Sequence, residues 1–175
     1  LKQGKQVLVL VPEIGLTPQT IARFKSRFHC DVALLHSGLN DSKRLQAWQH
    51  AQTGKASIII GTRSAIYTPL PHLGLIILDE EHDLSFKQQE GFRYHTRDVA
   101  LYRGHLQNCP VILGSATPSI DSYHLVESGK LHLLELNQRA GIAVLPKMYV
   151  VDLKVAKKKH GLSQTLIEQI KHTLE

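Results

Sequence analysis

The chain's 175 residues fit one ordinary domain with a real core, and 42% apolar and 21% charged content excludes a disordered chain. No apolar run approaches the roughly 20 residues needed to span a bilayer, which speaks against a membrane-spanning helix. The 21 Lys and Arg against 15 Asp and Glu, a formal net charge of +6, favour a polyanionic partner such as DNA.

Apolar strands alternate with helical patterns, which predicts an α/β fold with a mostly parallel sheet and helices on both faces. The start, Leu1-Lys2-Gln3-Gly4-Lys5, has neither Met nor an apolar signal segment, which fits a cytoplasmic protein and a piece of a longer chain. Residues 7–11 read as a buried strand, and Thr17-Pro18 as the N-cap and first position of a helix to about residue 28. Residues 32–35 give a second strand, Asp41 caps a second helix ended by Gly54, and residues 56–60 give a third strand. Residues 75–78 form an aliphatic strand that runs directly into Asp79, Glu80, Glu81 and His82.

Residues 84–94 are too polar for a strand and read as a loop with Phe86, Phe92 and Tyr94 beside Lys87 and Arg93. Aromatics interleaved with cations suit base stacking plus phosphate contact; the competing reading folds the rings inward as a small satellite core. Thr96 is expected to cap a helix to about residue 107, and residues 111–113 give another strand. Thr117-Pro118 repeats the N-cap pattern, with Gly129 as the stop. Residues 131–136 and 148–153 read as strands around an irregular stretch, residues 157–161 as a lysine-rich linker, and Ser163 as the cap of a final helix. Cys30 and Cys109, far apart and without CxxC spacing, read as buried reduced thiols.

The chemistry gathers where strands end. A strand buried on both faces can place acids only at its carboxyl end, which is where open α/β sheets bind ligands. There Asp79 can hold a magnesium ion through water, and Glu80 can orient or deprotonate the water that attacks a nucleoside triphosphate. Three further loops follow apolar strands: Pro12-Glu13-Ile14-Gly15-Leu16-Thr17-Pro18-Gln19, Gly61-Thr62-Arg63-Ser64-Ala65 and Gly114-Ser115-Ala116-Thr117-Pro118. In a parallel sheet all four lie on one edge, where glycines allow close approach and hydroxyls and helix N-termini offer donors to phosphate.

In this order the motifs resemble the first motor lobe of the superfamily-2 DNA helicases, and among them the bacterial replication-restart helicases. The resemblance runs from about Lys5 to about Ser122. It implies a RecA-like fold, ATP and Mg2+ as cofactors of the parent protein, and movement 3′ to 5′ on forked DNA. Asp79 would hold the metal through water, Glu80 would activate the hydrolytic water, and His82 would link that site to Ser115, Ala116 and Thr117, which couple hydrolysis to movement. Glu13, Thr17, Gln19, Gly61, Thr62 and Arg63 would track the DNA backbone, and Lys87, Phe92, Arg93 and Tyr94 would relay single-strand binding. Partners implied are single-stranded and forked DNA and other primosome and single-strand-binding proteins, at the bacterial nucleoid.

The resemblance divides the chain into a motor lobe over residues 1–136, an irregular connection with a strand and the lysine-rich linker over 137–161, and a helix over 162–175 leading towards a second lobe. No G-x-x-x-x-G-K-[ST] phosphate loop occurs; Gly54-Lys55 is followed by Ala56 and precedes a strand instead of following one. By resemblance that loop and its strand, expected beside residues 75–78, lie upstream of Leu1, and the cysteines of a zinc module lie outside this chain. The chain alone is therefore expected neither to bind ATP tightly nor to unwind DNA. Two other classes compete: a non-hydrolysing single-stranded DNA-binding module, and a metal-dependent nuclease on Asp79, Glu80 and His82. The nuclease needs further convergent carboxylates, and the other sheet-end loops supply only Glu13.

Overall fold

The computed structural model describes residues 4–12, 18–138, 148–154, 156 and 158–174. The chain divides into two compact units, Leu1–His132 and Leu133–Glu175. In chain order the first unit contains β1 (Gln6–Leu10), α1 (Pro18–Phe28), β2 (Val32–Leu35), α2 (Asp41–Gln52), β3 (Ile58–Gly61) and a 3-10 turn, Arg63–Tyr67. It continues with β4 (Leu73–Leu78), a second 3-10 turn (Leu84–Phe86), β5 (Lys87–Gln88), β6 (Tyr94–His95), α3 (Thr96–Leu106), β7 (Val111–Leu113) and α4 (Ile120–Glu127).

Five strands pair in parallel in the order β2-β3-β1-β4-β7. Alternate residues of one strand face opposite sides, so Leu8 and Leu10 enter one core with Ile59, Ile76 and Leu78, while Val9 and Val11 enter another with Ile58 and Ile60. The first core takes Ala51 of α2 and Ala100 of α3, and the second takes Phe24 of α1. Helices therefore cover both faces, which is why the strands read as unbroken apolar runs. Gln6 is buried among them, but its amide donates to Ala51 O and Ala56 O at 2.9 Å each and accepts from His72 N–H. This parallel sheet with helices on both faces is the one the strand pattern anticipates.

Several local expectations fail for identifiable reasons. The place beside β4 is filled on both sides, by β1 and β7, so a further strand cannot lie there. Asn40, not Asp41, caps α2 by accepting from Lys43 N–H; Asp41 takes the first helical position, where its charge suits the helix dipole. His95 caps α3 through Nδ1, and Thr96 instead donates to Phe86 O at 3.0 Å. Ser119, not Thr117, caps α4, because Ser119 is held from outside the helix, as described below. Pro18 does open α1, and Gly129 does follow the end of α4; Thr17 lies outside the described residues. The polar segment expected as a loop contains a short antiparallel ribbon of β5 and β6.

In the second unit, β8 (Lys158–Lys159) and β9 (Leu162–Ser163) make a hairpin in place of the expected linker. His160 and Gly161 both take positive φ, +50° and +84°, as a tight two-residue hairpin turn requires. Helix α5 (Gln164–Leu174) follows, with Ser163 Oγ accepting from Leu166 N–H as the sequence anticipates. Residues 131–136 and 148–153 are not strands: a ladder needs a partner, they have none among the described residues, and Leu134, Leu136 and Val150 stand in solvent. Most of the stretch read as irregular, residues 139–146, lies outside the described residues.

Candidate functional site

The parallel sheet brings the ends of β3, β4 and β7 to one edge. Backbone bonds join two of them tightly: Gly114 N donates to Leu78 O at 2.8 Å and Glu81 N to Gly114 O at 2.9 Å. A Cβ on Gly114 would lie 3.3 Å from Asp79 Oδ1, so glycine lets this loop lie against the acid. Asp79 and Glu80 are exposed at the tip of β4, and Glu80 N donates to Asp79 Oδ1 at 3.1 Å. Glu80 holds φ of +50°, which costs a non-glycine residue about 1–2 kcal/mol and marks a backbone fixed by its surroundings.

His82 joins the acids to the next loop. Its Nδ1 lies 2.7 Å from Ser115 Oγ, a hydrogen bond whose direction follows the imidazole tautomer, and 3.6 Å from Glu80 Oε2. Ser115 Oγ also accepts from Thr117 N at 3.0 Å. Asp79, Glu80, His82, Ser115 and Thr117 are thus connected, with Ala116 exposed between the last two.

The third acid behaves differently. Glu81 is 1% exposed and points away from solvent into the start of α4. It accepts from Ser119 N at 2.7 Å, Ser119 Oγ at 3.1 Å and Ser122 Oγ at 2.8 Å. Arg97, buried on α3, donates to the same two hydroxyls and to Asp98 Oδ1 at 2.9 Å, and lies 3.6 Å from Asp121 Oδ2. His95 caps the helix that carries Arg97; burial first, then the Arg97 charge, push its imidazole below the ordinary value of 6.5. Nothing in the sequence reading singled out Arg97, Ser119 or Ser122. The retrievable signal is the Ser-x-x-Ser spacing at a helix start, opposite one acid too many in the β4 loop.

Arg63 and the aromatic segment form the flank. Gly61 is irreplaceable by packing, since a Cβ there would lie 2.6 Å from Leu35 O. Arg63 Nη1 donates to Ser85 O at 3.0 Å and Lys87 O at 3.3 Å, so this side chain fastens the base of the aromatic segment. The aromatics divide between the two readings: Phe86 is fully buried in the core, whereas Phe92 is 79% exposed. Tyr94 sits between, 6.1 Å from Phe92 and edge-on to Tyr67 at 5.1 Å. Asp83 turns the chain into this segment; the Ser85 hydroxyl and N–H hydrogen-bond to its carboxyl and hold it below the ordinary value. Arg93 is exposed near the tip, and Lys87 is exposed on β5. Gln19 is exposed in the first turn of α1, Thr62 is buried before the 3-10 turn, and Glu13 lies outside the described residues.

A DEAD/DEAH box helicase model matches residues 1–126, most of the chain and every loop of this sheet edge. The chain belongs to this helicase family. It is also similar along its whole length to replication restart protein PriA of Haemophilus influenzae, at 52% identity over 100% of the chain and 24% of that protein. The PriA proteins of a Synechocystis species and Bacillus subtilis are 51% and 41% identical, over 93% and 99% of the chain and 20% and 22% of theirs. The helicase chain therefore spans about a quarter or less of the relatives it matches.

The donor set at this edge suits one hydrated cation. Asp79 offers a single exposed carboxylate, which matches Mg2+ keeping most of its ligands as water and phosphate oxygen. Among the described residues no three His, Cys, Asp or Glu converge to hold a metal, and Glu81 is turned to the serines, so the convergence a nuclease needs is not formed there. Both cysteines are free thiols, and no helix among the described residues is long and apolar enough to cross a membrane.

Proposed function

We propose that the chain is the acid-box lobe of an ATP-dependent DNA helicase that moves 3′ to 5′ on forked DNA and acts in reloading the replication machinery. The name of its relatives, replication restart protein, supports the biological setting. The observation that carries the reading is the joined edge, where His82 Nδ1 lies 2.7 Å from Ser115 Oγ beside Asp79 and Glu80. A nucleotide bound with Mg2+ supplies the reactive phosphate and the charge neutralisation. Asp79 would hold the hydrated ion, and Glu80 would orient the attacking water and take its proton. His82 and Ser115 pass the state of that site to Thr117. Gln19, Gly61, Thr62 and Arg63, with Glu13 and Thr17, follow the DNA backbone, while Lys87, Phe92, Arg93 and Tyr94 engage unpaired bases. Single-strand-binding and other primosome proteins are the expected partners.

The test is a chimera in which this chain replaces the matching segment of the Haemophilus influenzae relative. Hydrolysis of ATP stimulated by single-stranded DNA is expected, and Glu80→Gln should abolish it while DNA binding persists. Unchanged hydrolysis by the Glu80→Gln chimera would remove the catalytic assignment. The chain alone carries no phosphate loop and should show no micromolar ATP binding by calorimetry.

A second reading, a single-stranded DNA-binding module, is favoured by the ring series Phe92–Tyr94–Tyr67. Joint Phe92→Ala and Tyr94→Ala substitution should weaken single-strand binding by the chain about tenfold or more. An unchanged affinity would exclude these rings as a stacking platform.

A further inference from the structure

A cleft of about 560 Å³ lies on the same edge, away from Asp79, between the ends of β2 and β3 and the face of α2. Its walls include His36 after β2, Arg44 and Trp48 one turn apart on α2, and Thr62, Arg63 and Tyr67 after β3. The size falls within the roughly 300–1,000 Å³ typical of small-molecule pockets. Among the described lining residues there is no Asp or Glu. Trp48 and Tyr67 are large aromatics that nonetheless remain 38% and 52% exposed, so their rings are not consumed by the core. Arg44 is steadied by Leu39 O at 3.1 Å and by exposed Asp41 at 3.6 Å, a surface pair of little strength that leaves the guanidinium half-exposed.

Tyr67 is also the first ring of a series leading out of the cleft. Tyr94 meets it edge-on at 5.1 Å, and Phe92 lies 6.1 Å beyond. Arg63 ties the two regions, since it lines the cleft and bonds the carbonyls of Ser85 and Lys87 below the aromatic tip. Aromatic faces beside guanidinium groups bind unpaired bases and their phosphates, and a base held in a duplex cannot offer its face.

We infer that this cleft is a nucleobase pocket for single-stranded DNA, with Trp48 and Tyr67 receiving one base, Arg44 and Arg63 its flanking phosphates, and Tyr94 and Phe92 the neighbouring bases. The inference rests on the single-strand reading above and adds a base-binding pocket to a surface otherwise assigned to the DNA backbone. It also explains why α2 carries an exposed arginine and tryptophan on one face.

Trp48 is the only tryptophan in the chain, so its fluorescence reports on the cleft alone. A labelled oligodeoxythymidylate is titrated with the chain, reading label anisotropy for binding anywhere and Trp48 quenching for occupancy of the cleft. The two signals should saturate together. Arg44→Ala and Tyr67→Ala should each weaken binding about tenfold, whereas Tyr67→Phe, which keeps the ring, should bind as the native chain does. Arg44 is a surface residue, so its variant stays informative if Tyr67→Ala unfolds. Binding by anisotropy with Trp48 emission unchanged and Arg44→Ala unaffected overturns the pocket and leaves the DNA reading standing. Thymidine monophosphate quenching Trp48 as strongly as the oligomer overturns it in favour of a mononucleotide site. Absence of any oligomer binding overturns both.

Discussion

Glu81 and His95 are the residues whose chemistry is most constrained by what surrounds them. Glu81 receives one backbone N–H and two hydroxyls in a buried place, with the Arg97 cation bonded to the same hydroxyls. Glu81→Ala would strand those donors and cost about 2–4 kcal/mol of stability, whereas Glu81→Gln keeps an acceptor and should cost about half as much. Denaturant unfolding of the two variants measures the difference; equal losses would show that shape, not the acceptor, matters. His95 supplies a pH test. Its Nδ1 must be unprotonated to accept from Arg97 N–H, and Arg97 opposes a second charge while Asp98, Glu81 and Asp121 favour it. The folded value lies below 6.5, so the folded state binds fewer protons and this contribution is complete above 6.5. It is lost as pH falls from there through the folded value. His95→Asn keeps a capping acceptor that does not titrate, so its melting temperature should fall less between pH 7 and pH 5 than that of the native chain.

At the scale of elements, the aromatic segment is held by a buried plug and an arginine strut. Phe86 fills the core, and Phe86→Ala should cost about 3–5 kcal/mol. Within the chain Arg63→Ala removes the two bonds to Ser85 O and Lys87 O, so the fold should survive while backbone amides of residues 85–88 exchange faster with solvent. Exchange unchanged there would mean the ribbon holds itself. The contrast also shows what could be read in advance. The five strands of the parallel sheet and the acids at the tip of β4 followed from apolar runs, because burial on both faces leaves a mark at every residue, whereas the order of the strands did not. The caps were misplaced by one or two residues because acceptors stand side by side, as Asn40 with Asp41 and Thr117 with Ser119, and only the tertiary setting selects among them. The Glu81 network joins residues 38 and 41 positions apart, and no local pattern carries that information.

For the whole molecule, net charge and the sheet's ends act against each other. Among the described residues β7 ends the sheet with an unpaired side, Ile112 is 48% exposed on it, and Ile120 and Tyr123 of α4 are exposed as well. An edge with open backbone groups and apolar side chains invites a second copy to pair. A net charge of +6 repels that copy, and the repulsion is screened within about 10 Å at 0.1 M salt. Salt should therefore promote self-association while weakening DNA binding, which releases counterions from phosphate. Sedimentation velocity over a range of protein and salt concentrations checks the first trend. Ile112→Lys should suppress association at every salt concentration, because it places charge on the edge without removing a core side chain. A chain that stays monomeric as salt rises would show that this edge is protected, and the opposed salt responses would then lose their common cause.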